Sequence, residues 1–266
     1  MQGLHVSAVV AACGALVVPA AAETITSCTS SGICYCVNAD YLATIQDRVS
    51  SIRARLAAER AAGKATGYIS IPISTLEGNY FKVNVDVADD VKKRVEARFG
   101  AASVWMLNPA ETQWSLPKIG AAGASGADYM LMWTRVLEGA SGDGPDFDFV
   151  YFTGPEDFRR GLNIGDADVM GQLDAEYDKR AATDPEIKKV DKRAFRTYYA
   201  LRASVAFSLG SHDEWNIART INERRRRAGP QAIARQLAVW FDGRSVSPSE
   251  YEAPAAAGYV GTCAVK

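Results

Sequence analysis

A carboxylate stands where a glycine-containing turn runs into a helical pattern, in the segment 208–218, which reads Ser-Leu-Gly-Ser-His-Asp-Glu-Trp-Asn-Ile-Ala. The pattern places Glu214 near the predicted start of a helix. Junctions at which a loop leads into a helix are where α/β proteins commonly bind their ligands. Glu214 is therefore the first candidate for a catalytic residue, and Ser208, Gly210 and Ser211 beside it are candidates for substrate binding.

An earlier segment, 67–74, predicts a buried strand that ends in a pocket. It reads Gly-Tyr-Ile-Ser-Ile-Pro-Ile-Ser, so β-forming residues fill it and the proline marks its end. The polar residues of this strand are Tyr68, Ser70 and Ser74. We expect Tyr68 and Glu214 to meet in that pocket.

A purely structural interpretation of the Glu214 segment is the alternative. Ser211 and Glu214 have the spacing of a capping box, in which both side chains bind backbone N–H groups at a helix start. Such a box contributes about 1 kcal/mol and needs no substrate. His212 is the only histidine after His5. It is two positions from Glu214 and so points to a different side of a helix, which favours a capping or solvent-facing role over proton transfer.

The elements that would position these residues follow from periodicity. Helices are predicted over 38–64, 79–99, 127–137, 214–227 and 231–241, and strands over 67–73, 102–107 and 147–153. The alternation of strands and helices predicts an α/β domain with a three-layer parallel sheet covered by helices on both faces. Residues 160–207 read as a helical insertion in this single domain, which we expect to span 23–266.

The first 22 residues predict a secretory signal. Residues 6–18 are almost wholly apolar, and the small residues of 19–22 precede Glu23 like a cleavage site. The apolar run is too short for a membrane span. We expect a secreted or periplasmic protein.

Four cysteines lie outside that segment, namely Cys28, Cys34, Cys36 and Cys263. An even set predicts two disulfides in an oxidising compartment, one of them tying the C-terminal tail to the N-terminal part. Three pairings are possible. The spacing of Cys34 and Cys36 is too short for a zinc knuckle, so no metal is expected.

The overall composition excludes little. The chain has 266 residues, a formal net charge of −1 and 48% hydrophobic residues, which is ordinary for a globular protein. The run Arg224 to Arg227 has no aromatic residues interleaved, and we interpret it as the solvated end of a helix rather than a nucleic-acid site. The oligomeric state stays open.

Several short motifs occur in one order along the chain. They are Tyr68-Ile-Ser-Ile-Pro-Ile-Ser74, Asn79, Asn108-Pro109, Tyr129-Met130, the segment from Asp148 to Pro155, and Ser208-x-Gly-Ser-x-x-Glu214-x-x-x-Ala218. This order resembles the nucleoside 2-deoxyribosyltransferase-like branch of the SLOG superfamily, over roughly 66–160 and 205–228. In that group a first strand reads like Tyr-Ile-Ala-Gly-Pro, a second ends in Asn-Pro, and a Gly-[Thr/Ser/Ala]-x-x-Glu turn opens a helix.

The resemblance implies a flavodoxin-like fold, a nucleoside or nucleotide-like ligand, and no cofactor. It implies that Glu214 is the nucleophile that attacks the anomeric carbon, supported by Tyr68 and Asp148. The residues it implies for substrate binding are Ser70, Pro72, Ser74, Ser208, Gly210 and Ser211. A carboxylate suits this role because it stabilises an oxocarbenium-like transition state and then forms a glycosyl ester.

Two functions of different classes follow. The first is an exported N-glycosidase or deoxyribosyltransferase-like enzyme. The second is a non-catalytic exported protein that binds a nucleotide-like ligand or contacts a host or partner protein. The discriminating observation is whether Tyr68 and Glu214 meet in one concave pocket.

Overall fold

A computed structural model describes residues 23–73, 78–119, 123–203, 208–251 and 253–264. The predicted signal segment 1–22 and the predicted substrate-binding residue Ser74 lie outside these ranges. The described part of the chain forms an α/β fold with a mostly parallel five-stranded sheet, as the alternation of elements predicts.

The strands of that sheet are β3 (Ala65–Ser70), β4 (Val104–Leu107), β5 (Phe149–Phe152), β6 (Ala238–Phe241) and β7 (Arg244–Ser245). Their order across the sheet is β4-β3-β5-β6-β7. All neighbours pair in parallel except β7, which turns back on β6. Strand β3 thus lies inside the sheet. The chain leaves β3 toward β4 on one side and leaves β5 toward β6 on the other side.

One face of the sheet packs against α1 (Leu42–Ala61), α3 (Gly126–Glu138) and α7 (Leu209–Arg227). The reason is visible in α1, where Ile45, Val49, Ile52 and Leu56 recur at spacings of three and four and are buried. Alternation along β3 sends Tyr68 to this face and Ile69 to the other.

The opposite face packs against α2 (Phe81–Phe99), which directly follows β3 in the described fold, and against a helical group that follows β5. That group comprises α4 (Pro155–Gly161), α5 (Val169–Thr183), α6 (Lys192–Thr197) and a π-helical turn at Tyr198–Arg202. Val83, Val87, Val91 and Val95 form the buried stripe of α2. The fold therefore has three layers, the sheet and a helical layer on each of its faces, with an apolar core on either side of the sheet.

The helix predicted over 231–241 is wrong. Helix α8 (Pro230–Ile233) is a single short turn, and Ala238–Phe241 is the strand β6. Val239 and Trp240 are β-forming residues in a run too short for a helix, and β5 supplies the parallel partner in register. The short helix α9 (Pro248–Tyr251) follows the sheet.

A separate two-stranded hairpin precedes α1. Strands β1 (Thr24–Cys28) and β2 (Cys34–Asn38) pair in antiparallel register, and β2 packs on α3. The prediction of two disulfides is confirmed: one joins Cys28 to Cys34 and the other joins Cys36 to Cys263. The first closes the hairpin, and the second links the hairpin to a residue 227 positions later.

Candidate active site

Helix α7 begins five residues before Glu214, which changes the interpretation of the capping motif. Ser208 is the N-cap, and its hydroxyl accepts a hydrogen bond from the backbone N–H of Ser211 at 3.3 Å. Glu214 therefore lies in the second turn, out of reach of the helix start. The capping box predicted between Ser211 and Glu214 is not formed, and the Glu214 carboxylate is available for other contacts.

Those contacts come from two residues of β3. The Tyr68 hydroxyl donates to Oε1 of Glu214, and the Ser70 hydroxyl donates to Oε2 at 2.5 Å. Residues 68 and 70 point to the same side of the strand because side chains alternate along it. Glu214 is 5% exposed, and Tyr68 and Ser70 are buried. The structure thus joins the two predicted segments at the carboxyl end of β3.

The ring of Tyr68 is fixed by aromatic neighbours. Its centroid lies 5.9 Å from that of Trp133 on α3 and 6.1 Å from that of Phe147, in tilted and edge-on arrangements. The hydroxyl therefore has one direction in which to point, toward the carboxylate.

The electrostatic setting of Glu214 is unusual for a carboxylate. Burial raises the pKa of Glu214 from 4.5 to about 7, and the negative charge of Asp213 adds to the rise, while the hydrogen bonds from Ser70 and Tyr68 oppose it. Among the described residues no positive charge is paired with this carboxylate. Burial and the neighbouring Glu214 also raise the pKa of Tyr68 well above 10, so the phenol stays protonated and donates. Glu214 is thereby poised to change its charge near neutral pH.

A cavity of about 380 Å³ opens beside this carboxylate, at the carboxyl ends of β3 and β4. Most of the described lining residues are apolar or aromatic, and one of them, Glu214, carries a charge. The lining residues are Ile71, Ile73, Phe81, Pro109, Ala110, Ser115, Gly126, Tyr129, Met130, Trp133, Ser208, Gly210, Glu214 and Tyr259. Open α/β sheets bind ligands at this edge, where connections diverge.

The loops that carry this wall are held by buried amides. The carbonyl oxygen of Pro72 accepts hydrogen bonds from the side-chain amides of Asn84 and Asn79, and Tyr199 donates to Oδ1 of Asn84 at 2.6 Å. Pro72 itself does not line the cavity, although its neighbours Ile71 and Ile73 do. It therefore fixes the loop after β3.

A second buried amide holds the loop after β4. Asn108 donates to Oδ1 of Asp89 at 2.8 Å and accepts from the N–H of Ala110 at 2.9 Å. The Asn-Pro pair at the end of the strand thus has a local structural role, and Pro109 and Ala110 reach the cavity.

Asp148, predicted as a support for Glu214, is not brought to it. It directly precedes β5, and its carboxylate accepts hydrogen bonds from the backbone N–H of Thr66 at 2.8 Å and from Arg60 at 2.9 Å. Both contacts lie at the amino end of the parallel strands, whereas Ser70 and Glu214 lie at the carboxyl end. A residue at the start of a parallel strand cannot share a site with one at the end of its neighbour.

The other candidates divide in two groups. Ser208 and Gly210 line the cavity, and their role in substrate binding stays a prediction. Ser211 does not line it; its side chain is buried, and its hydroxyl has no hydrogen-bond partner among the described residues. His212 lies outside the cavity wall as well, which agrees with the expectation that it does not share a face with Glu214.

Sequence reasoning missed Tyr259, which reaches the cavity from the C-terminal segment. That segment has little periodicity, and the one signal in it was Cys263. Trp133 on α3 also lines the cavity.

Two further findings bear on chemistry. Within the described ranges, no cluster of three or more histidine, cysteine, aspartate or glutamate side chains could hold a metal ion. None of the helices in the same ranges is long and apolar enough to cross a membrane.

Comparison of the chain with protein-family models, with curated proteins and with solved structures finds no match in any of the three.

Proposed function

We propose that the protein cleaves or transfers the N-glycosidic bond of a nucleoside, with Glu214 as the nucleophile. The observation that carries this proposal is the buried Glu214 carboxylate, held on both oxygens by the hydroxyls of Tyr68 and Ser70 beside a cavity of about 380 Å³. A carboxylate held in one orientation by two donors is arranged for attack on a single carbon.

The reaction would proceed in two displacements. A Glu214 oxygen forms a bond to the anomeric carbon while the bond from that carbon to the base nitrogen breaks, and the nitrogen keeps the electron pair. Water, or the N–H nitrogen of a second base, then attacks the anomeric carbon while the bond to Glu214 breaks and the carboxylate is restored. The proton that the attacking group loses neutralises the departed base. Glu214 has to be ionised for the first step, so the rate is expected to rise as the pH passes about 7.

The fold assignment that accompanies this function is the flavodoxin-like class. The sheet order β4-β3-β5-β6 corresponds to an order of 2-1-3-4 for the parallel strands, which is the start of the flavodoxin-like order. The two disulfides favour an oxidising compartment and therefore support export.

The cavity favours an uncharged ligand. No lysine or arginine lines it in the described part of the chain. Proteins that bind phosphate use basic side chains or free helix N–H groups. The apolar and aromatic wall instead suits a nucleobase. We therefore assign a nucleoside rather than a nucleotide.

The test is release of free base from a panel of ribonucleosides and 2′-deoxyribonucleosides, each paired with its 5′-monophosphate, followed by chromatography at pH 8. We expect release from at least one nucleoside, a much lower rate with its monophosphate, and no release by Glu214→Gln. A nucleoside that carries a 2-fluoro sugar should add its glycosyl mass to Glu214. Equal release by the wild-type protein and by Glu214→Gln would refute the mechanism.

Calorimetry with the same panel separates the alternative. Tight binding of a nucleoside without any release of base would identify a binding protein instead of an enzyme.

A further inference from the structure

The C-terminal segment 253–264 runs along the first turns of α7 and is bonded to residues that flank Glu214. The buried carboxylate of Asp213 accepts hydrogen bonds from the N–H groups of Gly258 at 2.8 Å and Tyr259 at 2.6 Å. Asn216 makes a reciprocal pair of bonds, both 3.0 Å, with the backbone of Ala255. Helix α7 therefore holds the segment through two residues that lie close to Glu214 in the sequence.

Beyond these bonds the segment is fixed covalently. Cys263 is joined to Cys36, its N–H donates to Thr26 at 2.9 Å, and the N–H of Gly261 donates to the carbonyl oxygen of Cys34 at 2.9 Å. The hairpin that receives these contacts packs on α3, whose residues also line the cavity. The disulfide thus ties the segment across the gap between α7 and the hairpin.

Between its two anchors the segment places the Tyr259 ring in the cavity wall. Two glycines make room for this. A Cβ at Gly126, the first residue of α3, would overlap the Tyr259 ring, and a Cβ at Gly258 would overlap the carbonyl oxygen of Leu209. A residue with a side chain would therefore not fit at either glycine without moving the Tyr259 ring or the backbone of the segment.

We infer that Tyr259 is a substrate-contacting residue that sets the affinity for the nucleoside, and that the Cys36–Cys263 disulfide holds it in place. This inference rests on the proposed function. The ring faces the same cavity as Tyr129 and Trp133, so it supplies a further aromatic surface for a planar base. The hydrogen-bond partners of Glu214, Tyr68 and Ser70, belong to β3 and not to the C-terminal segment.

The first test separates affinity from chemistry. In Tyr259→Ala we expect KM for the best nucleoside to rise about tenfold while kcat changes less than about threefold, because a contact made equally in the ground and transition states affects KM alone. Gly126→Ala should raise KM similarly by displacing the ring. In the Tyr259→Ala background the Gly126→Ala change should have little further effect, since the clash is gone.

The second test addresses the anchor and has a matched control within the chain. Cys36→Ser/Cys263→Ser releases the segment, whereas Cys28→Ser/Cys34→Ser removes a disulfide that closes only the hairpin. We expect KM to rise in the first double variant and to stay at the wild-type value in the second. Hydrogen exchange of peptides from 253–264 should quicken in the first and not in the second.

The outcomes are distinguishable. If the wild-type protein cleaves nucleosides and Tyr259→Ala leaves KM unchanged, the inference is overturned and the proposed function stands. If no nucleoside is cleaved, the proposed function fails, and the exchange comparison still decides the anchoring: equal exchange in the two double variants refutes it. Should Cys36→Ser/Cys263→Ser fail to fold, the Gly126→Ala cycle tests the ring with both disulfides intact.

Discussion

A carboxylate lies at each end of the strands of the central sheet, and the two carboxylates differ in burial and in hydrogen-bond partners. At the carboxyl end, Glu214 is buried and bonded to neutral hydroxyls. At the amino end, the side chain of Asp148 is 45% exposed and paired with Arg60 and a backbone N–H. Desolvation without a counter-charge makes the Glu214 carboxylate responsive near neutral pH, whereas the partly exposed Asp148 carboxylate binds a guanidinium and a backbone N–H. Position along a parallel strand thus decides which acid can do chemistry.

The largest effect expected from this comparison is on catalysis. Glu214→Gln should lower kcat/KM for base release by about 10³-fold or more, because the variant lacks the nucleophile. The matched change Asp148→Asn should leave kcat/KM within about threefold of the wild-type value, because its site lies at the far end of the strands. Rates of the purified variants at pH 8 check both. Comparable losses in the two variants would erase the distinction between the two ends.

The next effect is on stability. Glu214 has a pKa of about 7 in the folded protein and 4.5 in the unfolded chain. Its contribution to the free energy of unfolding is therefore fully present below about pH 4.5 and is lost as the pH rises through 7. The difference corresponds to about 3 kcal/mol. The wild-type protein should therefore lose about that much more unfolding free energy than Glu214→Gln between pH 4 and pH 8. Urea unfolding at both pH values measures it, and parallel pH profiles for the two proteins would contradict it.

A third prediction concerns the hydroxyls that hold the carboxylate. The bonds from Tyr68 and Ser70 favour the ionised form of Glu214, so their removal should raise its pKa further. The pH midpoint of kcat/KM should move to higher pH in both Tyr68→Phe and Ser70→Ala. A midpoint that stays in place in both variants would mean that the hydroxyls do not bind the ionised carboxylate.

The smallest effect belongs to the amino end. Asp148→Asn or Arg60→Ala should destabilise the protein by about 1 kcal/mol or less, because the pair is partly exposed and screened by salt. Urea unfolding at low and high salt should show that the difference shrinks with salt. A loss of unfolding free energy as large as the one expected from the Glu214 carboxyl would contradict the difference between the two ends of the sheet.

Much of the architecture could be predicted from local patterns. The buried stripe of α1 and the apolar run of β3 are visible as spacings in the sequence, and both elements form close to the predicted bounds. Strand β6 escaped because its apolar run follows Gly229 and Pro230 and fits a helical period as well as a strand. Only its partner β5, some 90 positions away, decides the matter. Non-local pairing is what a periodicity cannot supply.

In the site, too, residues at local sequence signals could be predicted, whereas residues placed by non-local contacts could not. Tyr68 and Glu214 could be paired because each sits at a recognisable junction, and parallel strands end on one edge. The Ser211 cap was wrong because the start of a helix is the least reliable part of a pattern, and here the Ser208 hydroxyl competes for it. Tyr259 had no pattern at all, since its place depends on a disulfide and on the Asp213 side chain.

The disulfide between Cys36 and Cys263 closes residues 36–263 into one covalent loop. A protease that cuts once at any point within those 227 positions opens the loop without dividing the molecule. Both fragments travel together on a non-reducing gel and part only when a thiol is added. Nicked molecules therefore keep Glu214 and its hydroxyl partners in one disulfide-linked molecule.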